Sequence, residues 1–166
     1  MDADAILDCW KRQLGDDALA YRNHVHRVID FCSALHEGDH EKIVIAACFH
    51  DLGIWTDRTW DYLEPSIALA TSYLREQGLA QWTDEIARMI GMHHRIRAHD
   101  DPLVEAFRRS DLVDVSLGLV RFGLPRALVR EVRARHANAG FHKRLAQLAC
   151  GWWGRHPLHP LPMLKW

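Results

Sequence analysis

Apolar residues recur along most of this chain at intervals of three and four, the spacing of one helix face, and no stretch alternates with the two-residue period of a half-buried strand. A first helix is predicted from about Asp4 to Leu14, closed by Gly15. A second starts at Asp16-Asp17, acids that suit a helix N-terminus, and runs to about His36 with Tyr21, Val25, Val28, Ile29 and Cys32 on one face. The third, about His40 to Leu52, differs in kind: Ile43 to Phe49 is apolar without a break, which predicts burial on every side, and Gly53 reads as its ending residue. An irregular aromatic segment from Ile54 to Leu63 follows, with Trp55, Trp60 and Tyr62. Pro65 fits the first turn of a fourth helix that carries Ile67, Leu69, Ala70, Tyr73 and Leu74 up to Gly78. A fifth begins with Thr83 as N-cap and reaches His93; a sixth follows Pro102 and runs from about Leu103 to Leu117. Gly123 and Pro125 set off a seventh, and Ala137 to Gly140 an eighth. The proline-rich end, HPLHPLPMLKW, cannot be helical. With no repeat or linker, the expectation is an all-α, single compact domain over residues 1–166, of about seven or eight helices.

The 166-residue length, 48% hydrophobic and 26% charged content and formal charge of −1 fit an ordinary globular chain. That charge argues against binding a nucleic-acid polymer or a membrane surface through net charge, and leaves room for a local basic pocket. Cys9, Cys32, Cys48 and Cys150 are scattered without a CxxC pair, which reads as buried free thiols of a reducing compartment. The acidic start MDADAILDCW lacks the form of a signal peptide, and no apolar run approaches the roughly 20 residues that span a bilayer. A cytoplasmic location is expected.

Candidate chemistry changes the picture at His50-Asp51, two strongly polar side chains that close an otherwise apolar helix. A buried carboxylate without a partner is costly, and even a neutral polar group costs a few kcal/mol, roughly 2–7. A cation satisfies both groups; the bland alternative is a polar helix end beside a hydrogen-bonded histidine. His24 lies mid-helix, with His26 facing elsewhere because residues two apart diverge by about 200°. Asp111 stands between apolar neighbours in the sixth helix, beside Arg108 and Arg109. Taken singly, each of these reads equally well as structural or solvated.

In order, His24, His50-Asp51 and Asp111 resemble the HD domain superfamily, whose His…His-Asp…Asp signature is named for the dyad. The resemblance spans about residues 21–118 and leaves helices and tail over 119–166 outside it. HVHRV from His24 looks like the H-x-x-R-V opening, AACFHDLG from Ala46 like the dyad helix, and SDLVD from Ser110 like the final segment. It implies His24, His50, Asp51 and Asp111 as ligands of a divalent metal ion, with Mn, Fe, Co, Ni, Zn and Mg all compatible with such a mixed set. One or two ions per chain are implied, since His93-His94 is similar to the later His pair of two-metal relatives. Glu64-Pro65 stands where those relatives have His-Pro, and Trp55 stands where many have a phosphate-contacting Lys. Phosphate contacts would then fall to Arg27, Lys42, Arg95 or Arg97, while Trp55, Trp60 and Tyr62 either wall a pocket or belong to the core.

The activity implied is metal-dependent hydrolysis of a small phosphorylated substrate, often a nucleotide in such proteins, by metal-activated water. Asp51 would orient the water, and His93, Glu64 or Asp114 would protonate the leaving oxygen. Two alternatives stand beside it. One is a di-iron oxygenase, which needs Glu64, His93 and His94 as further ligands. The other is a non-catalytic, metal-stabilised binding module whose Trp152, Trp153 and Trp166 meet a partner. Nothing in the sequence sets the oligomeric state.

Overall fold

The computed structural model describes residues 1–165 and is all-helical. Ten α-helical segments follow in order: α1 Ala3–Asp8, α2 Lys11–Leu14, α3 Ala18–Leu35, α4 His40–Phe49, α5 Gly53–Thr56, α6 Leu63–Glu76, α7 Thr83–Met92, α8 Pro102–Val115, α9 Arg126–Arg135 and α10 Phe141–Trp153. Two of these, α2 and α5, are single four-residue turns, so the longer helices match the predicted number. No strand occurs among the described residues, only an isolated bridge between Arg95 and Lys165.

The long α3 is the central element and packs against α4, α8 and α9. Its Tyr21, Val25, Val28 and Cys32 are buried together with all of Ile43 to Phe49 on α4, which is enclosed on every side as its unbroken apolar run requires. A smaller apolar group, Phe31, Val113, Leu124, Val129 and Val132, fastens α9 to α3 and α8. At the start of α8, Asp101 caps the backbone N–H groups of Leu103 and Val104, with Pro102 in the first turn.

Several expectations need correction. The first helix is broken after Asp8 by i→i−3 bonds at Cys9 and Trp10, which set Trp10 edge-on against Phe49. Thr83 is the first residue of α7 and not its cap; Trp82 occupies that place and no side chain caps it. Gly53 does not end α4 but begins α5. Cys32 and Cys48 are buried, whereas Cys9 and Cys150 are exposed. The C-terminal tail folds back on the protein: Trp152 and Trp153 donate their indole N–H groups to the carbonyls of His159 and Pro160, Met163 joins the main core, and Ile96 N–H donates to Lys165. Trp166, grouped with Trp152 and Trp153 in the sequence, lies outside the described residues. Among the described residues no helix is long and apolar enough to cross a membrane.

Candidate metal centre

Four helix segments deliver polar side chains to one buried point. His24 comes from the middle of α3, and His50 and Asp51 from the turn that joins α4 to α5. His93 and His94 follow the end of α7, and Asp111 lies on α8. After Phe49 the backbone tightens to i→i−3 bonds, Leu52 to Phe49 and Ile54 to Asp51. His24 and His50 are fully buried, and Asp51, Asp111 and His93 expose 4% or less.

The hydrogen bonds on the outer ring nitrogens fix the tautomers. His24 Nδ1 is 2.7 Å from Asp114 Oδ2, an acceptor only, so that nitrogen carries the proton. His50 Nδ1 donates to the Ala47 carbonyl at 2.8 Å and His93 Nδ1 to the Ile90 carbonyl at 2.6 Å. Each ring, when neutral, aims a bare Nε2 inward. His24 Nε2 and His50 Nε2 face each other at 3.0 Å, close enough to share one proton or one cation. Asp51 Oδ2 lies 3.7 Å from His24 Nε2 and 3.5 Å from His50 Nε2; Asp111 Oδ1 lies 3.6 and 3.7 Å from the same two atoms. Asp51 Oδ1, Asp111 Oδ1 and His93 Nε2 are buried without any hydrogen-bond partner. Native proteins leave few buried polar atoms unsatisfied, and three here converge on one point.

Imidazole nitrogens and carboxylate oxygens that converge on one buried point are what a cation satisfies, and these buried His and Asp groups can hold a metal ion. The ligand-capable atoms fall into three overlapping triplets, each within 4.8 Å: His24, His50 and Asp111; His50, Asp51 and His93; His93, His94 and Asp111. The electrostatics carry the same sign. Burial opposes a charge on His50, yet Asp51 and Asp111 outweigh it and raise the ring's pKa to about 9, so that a proton and a cation compete for its Nε2. Burial likewise opposes charge on Asp51 and Asp111, and the surrounding imidazoles hold both carboxyls below their ordinary value. His94 goes the other way: burial and its neighbour His93 push it down to about 3, which leaves a neutral ring, the form that binds metals. A His94 ring that donates from Nε2 to the Tyr62 oxygen, 2.6 Å away, presents its bare Nδ1 to Asp111 Oδ2 at 3.9 Å.

Of the residues singled out in the sequence, His24, His50, Asp51, Asp111, His93 and His94 are brought together. Glu64 is not: it is exposed on the first turn of α6 and joins none of the triplets. Asp114 stands one layer back, fully buried behind His24 and bridged by Arg27 through Nε at 2.6 Å and Nη2 at 2.8 Å. Burial opposes its charge, but His24 and Arg27 hold its carboxyl well below the ordinary range. It sits as a positioning carboxylate for His24, not as the proton donor expected. Arg27 is equally unlike a phosphate contact, since its other Nη donates to the carbonyls of His136 and Ala137. Lys42 is paired with Asp39 and Glu85 at the surface. His26 faces away, bonded to Asp4 and stacked on His136.

Two contributions were not legible in the sequence, where Tyr62 stood only as a pocket wall or core residue and Phe141 not at all. Phe141, the first residue of α10, stacks on the His24 ring at 4.1 Å, and the Tyr62 hydroxyl orients His94. Neither carries a local signal, because both act across more than 30 residues of sequence. Comparison with protein-family models, with curated proteins and with solved structures finds no match. The centre therefore rests on its own geometry, which is compatible with an HD-like site.

Proposed function

We propose that this chain is an HD-type metal-dependent phosphohydrolase that cleaves a small phosphate ester. The observation that carries the reading is the inward convergence of three imidazole Nε2 atoms and two carboxylates, with Asp51 Oδ1, Asp111 Oδ1 and His93 Nε2 buried and unpartnered. His24, His50, Asp51 and Asp111 would hold one divalent ion, and His93 and His94, with Asp111, a second. When bound, such an ion supplies Lewis-acid polarisation of a phosphoryl oxygen and a water acidified to near neutrality.

The remaining work falls to the side chains. Asp114 and the Ala47 and Ile90 carbonyls lock the His24, His50 and His93 tautomers, so that no reorientation is needed before the reaction. Asp51 Oδ1 and His93 Nε2 stand 3.4 Å apart, and neither has another partner. With only the first ion bound, that pair can orient a water and carry its proton towards the leaving oxygen. Phe107 and Phe141 shield the histidine rings from bulk solvent. The experiment is a panel of phosphate monoesters and diesters assayed with protein loaded with Mn²⁺, Co²⁺ or Fe²⁺. Turnover that disappears in Asp111→Asn supports the proposal, and no turnover with any of the three metals counts against it.

A second reading, a di-iron oxygenase, is favoured by one observation: His93 and His94 form a triplet of their own around Asp111. Two iron ions per chain with oxygen-dependent activity and no phosphate release would select it.

A further inference from the structure

A cavity of about 690 Å³ contains none of the converging His and Asp residues. It lies between the N-terminal turns, the Ile54–Trp60 segment and α10, and its size falls in the range of about 300–1,000 Å³ that small-molecule sites occupy. Tyr21 and Tyr62 separate its back wall from the candidate metal centre. Trp55 stands one turn beyond Asp51, and its ring lies 4.8 Å from that of Tyr21, which is one turn before His24. Trp60, also in the wall, is 6.0 Å from Tyr62, the partner of His94.

The wall combines indole faces with cations. Trp55, Trp60 and Trp152 line it together with Arg58, Arg144 and Arg155. Arg144 is closed off by Asp17 at 2.8 Å, and Asp17 also accepts the Trp55 indole N–H at 2.9 Å. Arg58 and Arg155 are different: among the described residues neither makes an ion pair, and the only side-chain bond of Arg155 is to the Gly151 carbonyl. Asp16, on the same rim, is an uncommitted acceptor for a hydroxyl or amino group. The Trp60 indole N–H is buried with no acceptor. Guanidinium groups bind phosphate oxygens in pairs, and indole faces stack on flat rings.

We propose that this cavity is a recognition site for a phosphate ester of a planar ring, with Arg58 and Arg155 taking the anion and Trp152 and Trp60 flanking the ring. Calling that ligand a substrate rests on the phosphohydrolase reading; its binding does not. Two of the three walls come from residues 13–17 and 144–155, outside the stretch that carries the His and Asp signature. Selectivity for the ring is thus a property of this chain's own additions, especially α10.

The test uses phenylphosphonate and methylphosphonate, whose C–P bonds resist hydrolysis, titrated calorimetrically into metal-loaded protein. Phenylphosphonate should bind at least 10-fold more tightly than methylphosphonate. Trp152→Leu should remove most of that preference while leaving methylphosphonate unchanged, and the double variant Arg58→Ala, Arg155→Ala should weaken phenylphosphonate at least 10-fold with its melting curve intact. Equal binding of the two phosphonates, or a double variant that binds like wild type, overturns the proposal. Ring-selective, arginine-dependent binding by a protein that hydrolyses no phosphate ester leaves the cavity assignment standing and removes the hydrolytic one. Hydrolysis of phenyl phosphate with a KM indifferent to Arg58, Arg155 and Trp152 does the reverse.

Discussion

Replacing Asp114 by Asn tests how far the centre depends on a residue that never faces it. The carboxylate accepts from His24 Nδ1 and from two nitrogens of the fully buried Arg27. A neutral amide lets the His24 ring take its other tautomer, and it leaves the guanidinium charge uncompensated. Metal affinity should fall about 10–100-fold, the usual cost of losing the carboxylate behind a ligating histidine. Stability should fall by about 3–5 kcal/mol, as for other broken buried ion pairs. Metal titration and chemical denaturation of the same variant separate the two effects, and wild-type metal affinity would remove Asp114 from the positioning role. The sequence placed Asp114, in the SDLVD segment, among the candidate acids for the leaving oxygen. Its true neighbours, Arg27 and His24, are 87 and 90 residues away, and no local pattern announces them.

At the scale of elements, helix positions were legible because their apolar spacing is strong. α3, α6 and α8 lie within about two residues of expectation, the ordinary uncertainty of helix ends, and α4 stops three residues early. Gly53 shows what spacing cannot show. Its role is close approach: a Cβ there would meet the Tyr62 carbonyl at 2.7 Å and both Pro65 Cβ and Ser66 Oγ at 3.0 Å, while its N–H donates to Ser66 Oγ. Gly53→Ala should therefore cost about 1–3 kcal/mol through overpacking and push the α6 start, with Tyr62, away from His94. A thermal melt at or above that of wild type would contradict this. The start of α8 carries a pH-dependent clasp. Glu105 accepts from Arg108, Arg109 and the His99 N–H, and although burial opposes its charge, these donors lower its pKa from an ordinary 4.5 to about 2. A lowered acid stabilises the fold fully above its unfolded value and loses that contribution as pH falls from about 4.5 through about 2. Glu105→Gln should thus cost roughly 1–2 kcal/mol at pH 7, with the difference from wild type closing below pH 4. Denaturant midpoints of both proteins across that range check it, and a difference that stays constant sinks it.

For the whole molecule, the candidate centre joins helices that are distant in sequence: α3, the α4–α5 turn, the end of α7 and α8 all meet there. A ligand that binds only this assembled state stabilises it by about 2.7 kcal/mol at 100 times its dissociation constant. In a chain of this size each kcal/mol moves the melting temperature by about 2–4 °C, so chelation of loaded protein should lower it by roughly 5–10 °C. The converging His and Asp residues were readable in the sequence through their order and matching helical settings. Of the cavity beside them only the Trp55 and Trp60 wall was, because its other walls come from residues 13–17 and 144–155, which only the packing of α10 brings together.

Metal content, measured by elemental analysis on protein purified without chelators and again after dialysis against Mn²⁺, Fe²⁺, Co²⁺ and Zn²⁺, bears most directly on this account. One or two tightly held ions per chain, lost in Asp111→Asn and restored to wild type by re-loading, is the predicted result. A wild-type protein that holds no ion under any of these conditions, and whose melting temperature ignores all of them, contradicts it.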